Sequence, residues 1–286
     1  MHVLNFADPS IQIERRLVSV DNIVIGGLQT PRGPPTTLQL FREVKLVGDC
    51  IGVAATNGDD IYVGSSNGEI LRIDKEGCIE LFLKTPSSNI VGLTIHGSTL
   101  YTLNSKYGIF QIDLETMKQS LFFSHADKSA YRGSRMLVTQ NQLVVADVTD
   151  HRLTLYSLTG QLIRHVACPL ISTYWVSLCL SPSDPDVIIV SDWKSSRVFA
   201  VNLSTGTVVW ANSDIREPAG IASFDSKFVL VSKRLTTTQL WVLNADTGVW
   251  WLIEAALNTL MSSSNLCVLV REGFKSRIRK LGDDLS

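Results

Sequence analysis

Short apolar runs and short polar runs alternate along most of this chain, and the pattern recurs. "DIYVGSSNGEILRID" starts at Asp60, "TLYTLNSKYGIFQID" at Thr99 and "QLVVADVTDHRLTLY" at Gln142. "DVIIVSDWKSSRVFAVN" follows at Asp186, "FVLVSKRLTTTQLWVLN" at Phe228 and "LCVLVREGFKSRIRKL" at Leu266. Each joins an apolar strand to a polar turn and then to a strand with alternating apolar positions. Val, Ile, Leu, Tyr and Trp suit strands, while Ser, Asn, Asp and Gly suit turns. The anchors of the second strands, Ile70, Ile109, Leu153, Val198, Leu240 and Ile278, are spaced by about 38 to 45 residues, in the range of propeller blades.

A strand rich in small residues precedes each hairpin, as in "IGVAAT" at Ile51 and "AGIASF" at Ala219. Small residues suit the innermost strand, where blades crowd an axis. A fourth strand follows most units, as in "LIRHV" at Leu162 and "TVVW" at Thr207, after a turn such as "LTG", "STG" or "DTG". A unit of four antiparallel strands cannot bury both of its faces alone, whereas units stacked around an axis can. The expected fold is therefore all-β: a single β-propeller domain over residues 1–286, built of four-stranded antiparallel blades. Seven blades are favoured. In that arrangement residues 1–50 supply one blade, and "HVLNF" at His2 closes the last. The alternative has six blades, with the residues before Phe41 packed outside the ring.

Composition narrows the function without naming it. The net charge is -1, so no global excess of charge points to nucleic acid or a membrane surface. No basic-then-apolar leader and no bilayer-length apolar run is present, and no membrane partner is expected. Five dispersed cysteines without a CxxC pair read as reduced thiols of a cytoplasmic protein. No nucleophile elbow, zinc helix, phosphate loop or EF-hand loop occurs, and no cofactor or metal is expected. Asp147 and Asp192 end equivalent strands. They would serve a calcium site or, more simply, accept hydrogen bonds from their own turns.

Two hairpins, "VVADVTDHRLTLYSLTGQLIRHV" at Val144 and "VIIVSDWKSSRVFAVNLSTG" at Val187, resemble the NHL repeat. Both have a strand ending Val-Ala/Ser-Asp, a turn, His-Arg or Ser-Arg, and an apolar strand. "EPAGIASF" at Glu217 is similar to that repeat's opening. The resemblance implies a propeller of the kind found in tripartite-motif proteins, RNA regulators and scaffolds. The zinc-ligand clusters of a tripartite-motif ligase are missing here, so ligase activity within this chain is not expected.

In such blades the turn between strands two and three shares a face with the blade-to-blade connection. Sorted that way, one face is mildly basic with aromatic residues, though it also carries acids such as Asp150, Asp214 and Glu217, and the other is clearly acidic. Tyr131, Arg132, Trp193, Lys194, Arg234 and Lys275 are the candidate ligand-binding residues, because cations and aromatic rings anchor protein interfaces and stack on RNA bases. The expected function is a non-catalytic platform for a protein or peptide partner, with RNA on the same face as one alternative. A calcium-dependent lactonase or esterase propeller is the enzyme alternative. The oligomeric state stays open.

Overall fold

The computed structural model describes residues 50–56, 60–65, 67–74, 77–85, 90–104, 108–124, 133–172, 176–223, 226–233 and 239–254. Every regular element among them is a strand. The first sheet holds β1 (Cys50–Ala55), β2 (Ile61–Ser65), β3 (Glu69–Ile73) and β4 (Ile79–Lys84). The second holds β5 (Ile90–His96), β6 (Thr99–Asn104), β7 (Gly108–Asp113) and β8 (Gln119–Ser124). In the third are β9 (Gly133–Val138), β10 (Gln142–Asp147), β11 (Arg152–Ser157) and β12 (Leu162–Ala167). The fourth comprises β13 (Val176–Leu180), β14 (Val187–Asp192), β15 (Arg197–Asn202) and β16 (Val208–Asn212). The fifth comprises β17 (Pro218–Ser223), β18 (Phe228–Lys233), β19 (Gln239–Asn244) and β20 (Trp250–Glu254). Sequence neighbours pair antiparallel throughout.

The four-stranded antiparallel blade is thus as the sequence predicts, but the described residues form five blades, where the spacing predicts seven or six. The repeat signals are complete only between Ile51 and Glu254. The additional units rest on looser alternation in residues 1–49 and 255–286, and those lie outside the described residues. The innermost strands β1, β5, β9, β13 and β17 pack side by side in that order. Among the described residues, no comparable packing joins β17 back to β1.

The core lies between blades, which explains the sequence of the central strands. All of β14 is buried. Ile188 and Val190 join Val144, Leu155 and Phe199 between the third and fourth blades. Val187 and Ile189, one position out of phase, join Val198, Val229 and Val231 between the fourth and fifth. A strand buried on both faces carries a continuous apolar run rather than an alternating one. Matching clusters lie between the first and second blades, with Tyr62, Ile70 and Leu100, and between the second and third, with Leu103, Ile109 and Tyr156.

The turn before the outer strand is built the same way three times. Asp113, Asn202 and Asn244 accept backbone N–H bonds from Thr116 at 2.6 Å, Thr205 at 2.9 Å and Thr247 at 3.0 Å. The threonine hydroxyls donate to the same oxygens at 2.8, 3.1 and 3.1 Å. In the first of these turns the Thr116 backbone and hydroxyl hold the Asp113 carboxyl below the usual carboxylate range. The fifth residue is left-handed each time: Met117 at φ 55°, Gly206 at φ 75° and Gly248 at φ 68°. Methionine is the misfit, since a Cβ is disfavoured in that conformation. Met117 is also exposed, so its side chain contributes little packing. Met117→Gly is expected to stabilise the protein by about 0.5–1 kcal/mol, read as a rise in the urea midpoint at unchanged slope.

The outer strands β12 and β16 lean on the next blade's last turn. Arg164 in β12 donates to the Ser204 carbonyl at 3.0 Å. Trp210 in β16 donates from Nε1 to the Ala245 carbonyl at 2.8 Å, and Asn212 donates to the Gly248 carbonyl at 3.2 Å. These bonds fix the lateral register of the blades, and with it the positions of their loops.

Candidate binding face

Up-and-down strand order brings the turn between second and third strands and the blade-to-blade connection to the same end of every sheet. Trp193 and Lys194 lie there, in the turn joining β14 to β15. Tyr131, Arg132, Arg234 and Lys275 lie outside the described residues. Lys194 is exposed, whereas Trp193 is half-buried with its Nε1 shielded from solvent.

The turn is shaped by Asp192, which is 0% exposed. Its Oδ1 accepts from the Lys194 and Ser195 backbone N–H groups, both at 3.1 Å. Its Oδ2 accepts from the Ser172 N–H at 2.7 Å and the Ser172 hydroxyl at 2.9 Å. Asp147 has the same role in the preceding blade, accepting from the Thr149 and Asp150 N–H groups at 3.2 and 3.3 Å. His151 and Ser196 end the two turns left-handed, each at φ 50°. Both aspartates therefore cap their own turns, the simpler of the two sequence readings. Among the described residues no three His, Cys, Asp or Glu side chains gather as a metal-binding group.

The two hairpins differ at the arginine that follows. Arg152 and Arg197 sit opposite Asp147 and Asp192 in the strand register. Arg152 reaches Asp147 Oδ2 at 3.1 Å and Asp150 at 2.6 Å. In the next blade Ser172 occupies Asp192 Oδ2, and Arg197 is left exposed. Arg216, in the connection to the fifth blade, is exposed too. Ser196 Oγ accepts from the Glu217 N–H at 3.3 Å, so Arg197 and Arg216 each flank that bond by one residue. Lys194, Arg197 and Arg216 form no ion pair among the described residues, whereas Lys84 lies 3.6 Å from Glu69 and Lys233 lies 3.9 Å from Glu217.

Sequence reasoning passed over Arg197, whose local motif matches that of the paired Arg152, while Asp192 Oδ2 accepts from Ser172 in a different connection. It also passed over Arg135, the one Lys or Arg on the five innermost strands. Arg135 is buried and donates to the Val91 carbonyl of the neighbouring inner strand. On the opposite face two acids follow turn chemistry. Asp74 accepts from the Cys78 N–H at 2.8 Å and Asp184 from the Asp186 N–H at 2.9 Å.

Cys168 and Cys179 are buried free thiols, and burial pushes their pKa up to about 11 and about 12. Cys78 is an exposed free thiol. The thiolate is the reactive form. A water-soluble thiol reagent at neutral pH is therefore expected to label Cys78 and spare the other two until the protein unfolds, as checked by peptide mapping. No helix among the described residues is long and apolar enough to cross a membrane.

No protein-family model and no curated protein matches the sequence. Among solved structures 1406 chains resemble the fold, a number too broad to single out a family. One of them is a chain of the crystal structure of a nidogen/laminin complex, at 12% identity and a TM-score of 0.55, covering 68% of this chain and 76% of that one. At that identity the likeness concerns the fold alone: a β-propeller of four-stranded antiparallel blades.

Proposed function

We propose that this propeller is a non-catalytic binding platform of the NHL kind, which takes a protein or peptide partner on the loop face of its fourth blade. The observation that carries the reading is the exposed trio Lys194, Arg197 and Arg216, without ion pairs among the described residues. Beside them Asp192 is buried and spent on its turn. The kinship to NHL repeats draws support from the two hairpins whose Asp caps and left-handed fourth residues match. A peptide is favoured over RNA because the half-buried Trp193 ring offers little face for a base to stack on. The net charge of -1 adds no long-range pull on a polyanion. A lactonase-type calcium site would compete for oxygens of Asp147 and Asp192 that already accept turn hydrogen bonds.

Peptide display on the immobilised protein tests the reading. Selected peptides are expected to lose binding to a Lys194→Glu/Arg197→Glu/Arg216→Glu variant and to keep it with Glu115→Lys on the opposite face. Peptides that respond only to Glu115→Lys would overturn it. So would ultraviolet crosslinking to RNA at near-physiological salt that disappears in the folded triple variant.

A further inference from the structure

We infer that Arg197 and Arg216, with Lys194 beside them, recognise an anionic side chain, carboxylate or phosphate, on an extended peptide segment; this deepens the binding-platform reading and rests on it. The nearby acids are turned to other partners. Glu217 lies 3.9 Å from the Lys233 ammonium, and Asp214 Oδ2 accepts from Trp250 Nε1 at 3.4 Å. Asp192, the strand-register partner of Arg197, is saturated by Ser172 and by its own turn. Both arginines are exposed, and neither guanidinium has a hydrogen-bond or ion-pair partner among the described residues.

Their backbones are held firmly. Ser196 and Glu217 are both left-handed, at φ 50° and 52°, and the hydrogen bond between them ties the turn to the connection. Arg197 and Arg216 therefore project from a fixed base, which lowers the ordering cost of binding. A guanidinium matches the two oxygens of a carboxylate or phosphate with parallel N–H bonds. Lys194 adds a point charge without that fork. Three cations confined to one blade edge suit a single acidic side chain and its neighbour rather than the repeated phosphates of a nucleic acid strand.

The test is fluorescence anisotropy with the full chain and four labelled probes: a Glu-rich peptide, its phosphoserine counterpart, its Gln counterpart and single-stranded oligouridine. The Glu and phosphoserine peptides are expected to bind, and the Gln peptide much more weakly. A phosphoserine peptide that binds tighter than the Glu peptide marks phosphate as the source of the charge; equal binding marks charge alone, and both support the inference. Arg197→Gln/Arg216→Gln should weaken the acidic peptides about tenfold, with an unchanged melting curve because both residues are exposed. Lys118→Gln on the opposite face should leave binding unchanged.

Equal binding of the Gln and Glu peptides, indifferent to the double variant, overturns the inference while the platform stands. Binding of oligouridine alone overturns both. If none of the four probes binds, the inference fails, and the display selection judges the platform separately.

Discussion

Gly248→Ala is expected to cost about 2–4 kcal/mol of stability, the larger share from a steric clash. A Cβ at that position would lie 2.5 Å from Trp210 Cε3 and 2.8 Å from Cδ2. The indole cannot swing aside without breaking its Nε1 bond to the Ala245 carbonyl, 2.8 Å long. The backbone adds to the cost, because φ is 68° and a Cβ is disfavoured there. Gly206 separates the two contributions. It sits at the same place in the preceding blade with φ 75°, but the nearest atom to an added Cβ is Val166 Cγ1 at an ordinary 3.5 Å. Gly206→Ala should therefore cost only about 1 kcal/mol. Urea melts of the two variants give the steric share by difference. In a Trp210→Val background the Gly248→Ala penalty should shrink toward the Gly206 value, a non-additivity that reports direct contact. Equal losses for both glycines would show that the blades do not lean on one another through Trp210.

What the sequence disclosed of this fold, and what it did not, follows the range of the interactions. Blade strands were legible because each is set by neighbours a few residues away. "LIRHV" and "TVVW" announced β12 and β16, and the turn residues before them announced the breaks. Blade number was less legible, since alternation in "TTLQLF" or "REVKLV" is compatible with a strand without specifying a blade. For the candidate face, the gathering of loops at one end follows from strand order alone. Lys194 could be named that way because an exposed turn needs no partner. Trp193 was named for its type, yet its half-burial depends on packing that no local pattern encodes. Arg197 was missed for the reverse reason. Its local motif, Asp-x-x-x-x-Arg, is the same as that of Arg152, and the visible difference, the Ser172 hydroxyl on Asp192 Oδ2, comes from twenty residues before Asp192.

Asp192→Ala should therefore have consequences at two levels. The carboxylate is buried and, among the described residues, accepts from Ser172, Lys194 and Ser195 at 2.7, 2.9, 3.1 and 3.1 Å. Its removal strands the N–H groups of Ser172, Lys194 and Ser195, and a loss of about 3–4 kcal/mol is expected, measured by urea or thermal unfolding. The same change releases the turn that carries Lys194 and ends at Ser196, so recognition of an acidic peptide should fall with it. Ser172→Ala separates stability from recognition. It removes one hydroxyl bond at 2.9 Å and keeps the backbone bond, so stability should drop by only about 1 kcal/mol. It also opens a lone pair on Asp192 Oδ2 toward Arg197, which faces it in the strand register. The fourth blade would then resemble the third, where Arg152 is paired with Asp147 at 3.1 Å. An Arg197 drawn into that pair is lost to an incoming anion. Ser172→Ala should thus weaken binding of the Glu-rich peptide several-fold while the melting curve moves little. If instead affinity stays at the wild-type value while Arg197→Gln still reduces it, the serine does not control the arginine, and Arg197 owes its exposure to strand geometry alone.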